Sequence, residues 1–290
     1  MRPINMIGST AVTVVLFVGA AMGQRTVPLA DNAALRYWSA FSQLQDAAIT
    51  DQEAKELDSV LDRMAPFDVS KYNDLVQKNT LALEIMARGT LLSNCDWGLD
   101  YGLGEDVPVD YARKALVLGR LNILYVMNLY HSGNRDGAIG ALAAGLRFSR
   151  DVANGGSLFA TLVAKDLLVS HLMAISDALR MGQLSTAQRS QLESAVAALG
   201  DGLGWSAAAK RDLEAVGAHY SGESRVYAAL SRITSSYTAF LKDESNLPSL
   251  MDAINHAPPE IAHLIPNPKR VRAQKQELSE KLQQTRMLLR

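Results

Sequence analysis

Apolar residues along this chain recur three and four positions apart, the period of helices with one buried face. Strict alternation, the mark of a half-buried strand, is absent after residue 24. Asp31 or Asn32 caps a first helix with Leu35, Trp38, Phe41 and Leu44 as its apolar stripe. Thr50-Asp-Gln-Glu53 is a capping box that opens a second helix through Leu57, Val60, Leu61 and Met64, and Pro66 stops it. Ser70 caps a third helix carrying Leu75, Leu81, Ile85 and Met86 to about Leu92. From Ser93 to Pro108 the pattern breaks into a loop rich in glycine, aromatics and acids.

The spacing then predicts a long helix over about Val109 to His131, apolar nearly all round between Leu121 and Tyr130 apart from Asn122 and Asn128. A helix without a polar face must be covered on several sides. Further helices follow over Gly137 to Val152, from Ser157 through Leu179, and from the capping box Ser185-Thr-Ala-Gln188 through Leu199. Val226, Leu230, Ile233, Tyr237 and Phe240 mark another. Five prolines between Asn246 and Pro268 limit helices there to short pieces. The last segment, 269–290, holds seven basic and two acidic residues, with Leu278, Leu282, Met287 and Leu288 as a loose apolar stripe. Ten or so helices with short connections make the fold all-α. The expected architecture is antiparallel helical hairpins stacked as a solenoid-like right-handed superhelix, with an irregular bundle around the all-round apolar helix as the alternative.

The start of the chain obeys different rules. Arg2, the apolar run Ala11 to Ala21 and the exit Ala21-Met22-Gly23 form the pattern of a secretory signal peptide over 1–23. The run is short for a membrane span, although an uncleaved anchor has the same layout. The organisation expected is therefore a signal peptide at 1–23, a helical domain at 24–268 and a basic C-terminal helix at 269–290. The segment Ser157 to Ile175 is apolar, but Lys165 and Asp166 at its centre make it a core helix and not a span. Export places the mature chain in a periplasm or outside the cell.

Composition narrows the function classes. Of 290 residues, 48% are hydrophobic and 20% charged, so the chain can build a core. A net charge of -1 gives no electrostatic reason to expect nucleic acid as a ligand. The single cysteine, Cys95, allows neither an internal disulfide nor a cysteine-rich zinc site. It is expected to be buried and inert.

One stretch carries a resemblance. Leu129-Tyr-His-Ser-Gly-Asn-Arg-Asp-Gly-Ala-Ile139, followed by Leu142 and Gly145, resembles the turn of a tetratricopeptide repeat over about 118–152. The tryptophan-leucine-glycine opening and the closing proline of that pattern are absent, and there is no second copy at a fixed period. The resemblance implies a hairpin of closely packed helices and a protein-binding role. The loop Cys95-Asp-Trp-Gly-Leu-Asp-Tyr101 before that hairpin looks like uncharacterised exported bacterial helical proteins, a resemblance that implies no activity.

Candidate chemistry lies in two places. The loop residues Cys95, Asp96, Trp97, Asp100 and Tyr101, with Glu105, Asp106 and Asp110, offer carboxylates to a calcium ion, or else caps and plugs for a crossing. His256, Glu260 and His263 stand at i, i+4 and i+7, which on one continuous helix would share a face and suit a metal, although Pro258-Pro259 interrupts that helix. His131, His171 and His219 fall on separate helices, and no nucleophile elbow, phosphate loop or His-Glu-x-x-His is present. No cofactor is implied. The reading is a non-catalytic, exported interaction module with a protein or peptide partner held in a groove. The basic segment 269–290 is either packed on the domain or a peripheral membrane contact. The alternative is a metal-binding protein or hydrolase-type enzyme with its site near 95–110 or at His256, Glu260 and His263.

Overall fold

The computed structural model describes residues 31–45, 51–61, 67–107, 109–180, 184–220 and 222–290. The signal sequence expected at 1–23, the expected cap Thr50 and the expected stop Pro66 lie outside the described residues. The α-helices are α1 (Ala33–Gln43), α2 (Asp51–Leu61), α3 (Val69–Lys78), α4 (Thr80–Gly89), α5 (Asp110–His131), α6 (Arg135–Ala153) and α7 (Leu158–Arg180). They continue as α8 (Thr186–Ala197), α9 (Trp205–His219), α10 (Ser224–Lys242), α11 (Leu247–Asn255), α12 (Pro259–Ala262) and α13 (Pro268–Leu289). Among the described residues there is no strand, only one isolated bridge between Asn32 and Asn94, so the chain is all-α.

Local chemistry explains most of the boundaries. Asn32 accepts the Ala34 N–H and Asn134 the Gly137 N–H. Ser185 and Gln188 close the capping box reciprocally at α8. The third helix departs from expectation. Its cap is Asp68, not Ser70, and it breaks at Asn79 into α3 and α4. Asn79 is buried, and its side-chain amide donates to Leu75 O (2.9 Å) while its carbonyl accepts the Gln45 N–H (2.9 Å). A side chain that competes this well for backbone groups bends the helix away.

The first helix turns only part of its expected stripe inward: Phe41 is buried and Leu44 packs on the core partly buried. Leu35 and Trp38 are exposed, whereas Ala33, Tyr37, Ala40 and Phe41 are buried. Two interleaved stripes fit the period. The one with alanines wins because it lets α1 lie close to α4, where a Cβ on Gly89 would stand 2.7 Å from the Tyr37 ring. In the last helix Leu278, Leu282 and Leu289 are buried, and Met287, expected in the stripe, is 61% exposed.

Three helices form the centre. α5, α6 and α7 each pack on the other two, and α5 also touches α1, α3 and α4. This is why α5 has no polar face, with Tyr111, Ala115, Leu118, Ile123, Leu124 and Val126 all buried. Glycines set the approach. A Cβ on Gly119 would meet Leu167 at 2.5 Å, and one on Gly145 would meet His171 at 2.1 Å and Asn122 at 2.5 Å. At that crossing the fully buried His171 bonds Leu167 O through Nδ1 (2.7 Å), so Nε2 is left as the acceptor for Asn122 Nδ2 (3.0 Å). Asn122 Nδ2 also donates to Ala141 O (3.0 Å), and the three helices share one satisfied polar node.

α7 is apolar and long enough to cross a membrane, yet most of it is buried within the fold. α13 lies against it and against α8, filling one core cluster with Leu278, Leu282 and Leu289. Lys165 of α7, 4% exposed, is held there by Glu277 of α13 (2.5 Å) and Asp166 (3.3 Å). The basic C-terminal helix is thus packed on the domain. α9, α10 and α11 build a neighbouring cluster around Leu213, Ile233, Tyr237, Phe240 and Leu250.

Candidate functional site

The loop singled out by its composition is a plug. Trp97 is buried and stacks on Tyr111, with ring centroids 4.3 Å apart, and lies parallel to Phe41. Its indole N–H donates to Asp151 O (2.8 Å). Cys95 is buried, with its Sγ 3.7 Å from the same carbonyl, and burial pushes its thiol far above the usual range. Asn154 donates to Cys95 O (2.7 Å), and Asn32 clasps Asp96 by accepting its N–H (2.9 Å) and donating to its carbonyl (2.8 Å).

Two of the loop carboxylates are taken up by local turns. Asp96 accepts the Gly98 N–H and Asp100 the Gly102 N–H, both as local turn caps at 2.9 Å. Tyr101 donates to Gly155 O (2.8 Å), so its ring pins the short 3-10 turn Tyr101–Asp106 beside α9. Asp110 is exposed in the first turn of α5, and the side chains of Glu105 and Asp106 lie outside the described ones. The carboxylate that matters here was not in the loop at all. Asp151 of α6 is buried, accepts Tyr37 Oη–H at 2.7 Å and pairs with Arg150 at 3.2 Å. Burial raises its pKa, and the Tyr37 and Arg150 contacts oppose that rise.

His256, Glu260 and His263 do not share a helix face. His256 caps the end of α11 and its Nδ1 bonds Asp252 O (2.8 Å); Glu260 is in α12 and His263 follows it. The Ala257-Pro258 break separates the two helices, as the missing proline N–H and its fixed φ require. Among the described residues no group of three or more His, Cys, Asp and Glu side chains is placed to hold a metal ion.

A concavity that the sequence did not announce lies elsewhere. A groove of about 640 Å³ runs between α4, α6 and α8. On α6, Gly140, Ala144, Arg147 and Asp151 stand at i, i+4, i+7 and i+11, one continuous face. At its C-terminal end this face is sealed by α1 and the 95–97 plug, which bury Asp151. Along Gly140, Ala143 and Ala144 it is open and forms the groove floor. Ala195 and Ala198 of α8 supply one wall, and Ala87 and Arg88 of α4 the other. Leu91, just beyond α4, stands on the lip at 82% exposure.

Three arginines line this groove, Arg88, Arg147 and Arg150, and no Asp or Glu is among the described lining residues. Arg147 marks the border between sealed and open stretches. Its Nη2 donates to Leu92 O (2.7 Å), and its Nε is buried with no hydrogen-bond partner. Arg150 reaches Ala198 O (3.3 Å) and Asp151. Arg88 contacts Glu84 at 3.7 Å and is largely exposed. The small-residue stripe that ends in arginine is visible in the sequence at helical spacing; what hid it is that such stripes more often lie against another helix.

Two other polar clusters are internally balanced. A depression of about 320 Å³ holds Asp58, Arg120, Lys165, Asp166 and Glu277, in which Arg120 pairs with Asp58 (2.8 Å) and Lys165 with both other acids. Asp212 of α9 caps the start of α7 across space by accepting the Leu158 N–H (2.9 Å), and Arg211 donates to Gly156 O (3.2 Å). Burial pushes the Asp212 carboxyl up to about 6. Comparison with protein-family models, with curated proteins and with solved structures finds no match to this chain.

Proposed function

We propose that this chain is a non-catalytic, exported interaction module that holds a segment of a protein partner in the groove between α4, α6 and α8. The observation that carries the reading is the face of α6 that is covered at one end and open along the rest. A face built of glycine and alanine lets another backbone approach closely, as Gly89 lets α1 approach α4. The polar groups that would serve catalysis are committed elsewhere: Asp151 to Tyr37, His171 to Asn122, Lys165 to Glu277. A groove with guanidinium donors and no acid or base of matched pKa favours holding over turnover. The hairpin of α5 and α6 is the stretch that resembles a tetratricopeptide repeat, and stacking of such hairpins is the architecture that fits this role.

Export rests on the pattern of residues 1–23. Fusing the chain to a reporter active only outside the cytoplasm, and sequencing the N-terminus of the secreted product, tests it. A mature start at Gln24 is the expected result, and a reporter silent in every fusion would reject export. For the groove, a photo-crosslinker at Ala143 is expected to trap one protein in the cell of origin. The adduct should vanish in Ala144→Trp, which fills the trough, and should not form from a crosslinker at the exposed Tyr227 of α10, which does not line the groove. Equal labelling from both positions would remove the groove from the proposal.

A further inference from the structure

The charge of the groove names the chemistry of its occupant. The whole chain is nearly neutral, with 29 basic and 30 acidic residues, so three arginines with no Asp or Glu among the described lining residues of one groove are a local departure. Arginine stays protonated at any physiological pH and presents five donors. Those of Arg88, Arg147 and Arg150 outnumber the acceptors the fold brings to them: Leu92 O for Arg147, Ala198 O and Asp151 for Arg150, and a long contact to Glu84 for Arg88. Arg147 retains a buried Nε–H that nothing accepts. That buried donor is out of a ligand's reach, whereas the largely exposed Arg88 guanidinium presents its donors to a carboxylate seated in the groove.

Between these cations the floor is small and mostly apolar, made of Gly140, Ala143, Ala144, Ala195 and Ala198, with Leu91 on the lip and the neutral polar Thr90, Gln191 and Ser194 beside it. Such a floor accepts methyl and methylene groups and close backbone. The bases of a single-stranded polynucleotide would find no aromatic platform among its described lining residues. The combination fits a polypeptide that alternates acidic side chains with small or aliphatic ones.

We infer that the segment held by this groove is acidic, its Asp and Glu carboxylates meeting Arg88, Arg147 and Arg150 while its aliphatic side chains rest on the alanine floor. This rests on the groove being a binding site, as proposed above. It adds the partner's charge and the residues that select it.

A library of displayed random peptides, selected on the full chain and counter-selected on Ala144→Trp, separates the two claims. Peptides that need the open groove are expected to be enriched in Asp and Glu beside Leu, Ile or Ala. Their affinity is expected to fall about tenfold or more in Arg88→Ala, the loss of a charge-assisted contact, and to weaken with salt. In Arg88→Glu, an exposed position that leaves the core untouched, the same selection should turn toward Lys and Arg. A damaged fold would abolish binding but would not invert the preference. Groove-dependent peptides that are neutral or basic would overturn the acidic partner and leave the groove standing. No groove-dependent peptide at all would overturn both. Co-sedimentation with anionic phosphatidylglycerol vesicles, lost in Arg88→Glu and unmatched by any peptide, would replace the protein partner with a membrane surface.

Discussion

The same face of α6 is used in two ways within four turns. At Asp151 it is covered by Tyr37 and the Trp97 loop, and the carboxylate is met by partners that the fold itself supplies. At Gly140, Ala143 and Ala144 it is bare, and Arg147 between the two stretches has an unspent donor. The covered end shows what it takes to satisfy this surface: an aromatic laid flat, a backbone carbonyl matched by an indole, a hydroxyl aimed at a charge. The open end lacks all three. Stability should therefore reside at one end of the face and recognition at the other, and substitutions can test whether that division holds.

The largest effect is expected in the plug. Trp97→Ala removes a buried aromatic stacked on Tyr111 and the indole N–H that donates to Asp151 O, and should cost about 4 kcal/mol in urea unfolding. Asp151→Ala strands the Tyr37 hydroxyl and the Arg150 guanidinium and should cost about 3 kcal/mol. If Asp151→Ala were neutral while a groove substitution destabilised, the assignment of roles to the two ends would be reversed. Native Cys95 should resist maleimide and react at once in denaturant, since burial disfavours its thiolate. Rapid native labelling would mean the plug opens.

A smaller loss is expected where the central helices cross. Gly145→Ala places a methyl into His171 and Asn122 and should cost about 1–3 kcal/mol by the same unfolding assay.

Asp212 gives an effect of opposite sign. Its carboxyl titrates at about 6 in the folded chain, above an ordinary aspartate, so the folded state binds the proton more tightly. Stability from this group is then highest below about pH 4, falls as pH rises to about 6, and stays lowered at neutral pH. Asp212→Asn keeps an acceptor for the Leu158 N–H. It should flatten the pH dependence in that window and raise neutral-pH stability by on the order of 2 kcal/mol. A pH profile unchanged by the substitution would show that the cap offsets the burial completely.

In the groove, Arg88→Glu should change the unfolding free energy by no more than about 0.5 kcal/mol, because the side chain is exposed. That near-silence in stability, set against a reversed peptide preference, is the sharpest form of the contrast between the two ends.

Much of this fold could be read from periodicity and punctuation. The all-round apolar helix is central, the stripe Val226, Leu230, Ile233, Tyr237 and Phe240 is buried, and the capping box at Ser185 closes as its spacing requires. Where two stripes share the helical period, as in α1, spacing cannot choose between them; packing of alanines against α4 and the reach of Tyr37 to Asp151 chose. Asn79 was illegible as a break because its effect needs Gln45, a residue 34 positions away in sequence, beside it.

The sequence by itself determined the class of the fold and most helix boundaries, because caps, prolines and apolar spacing act within a few residues. Only the tertiary structure decided which carboxylate anchors the loop, that His256, Glu260 and His263 fall on separate helices, and that alanines of α6 and α8 face each other across an arginine-lined groove. Those are relations between helices far apart in the chain, and no local rule fixes which faces meet.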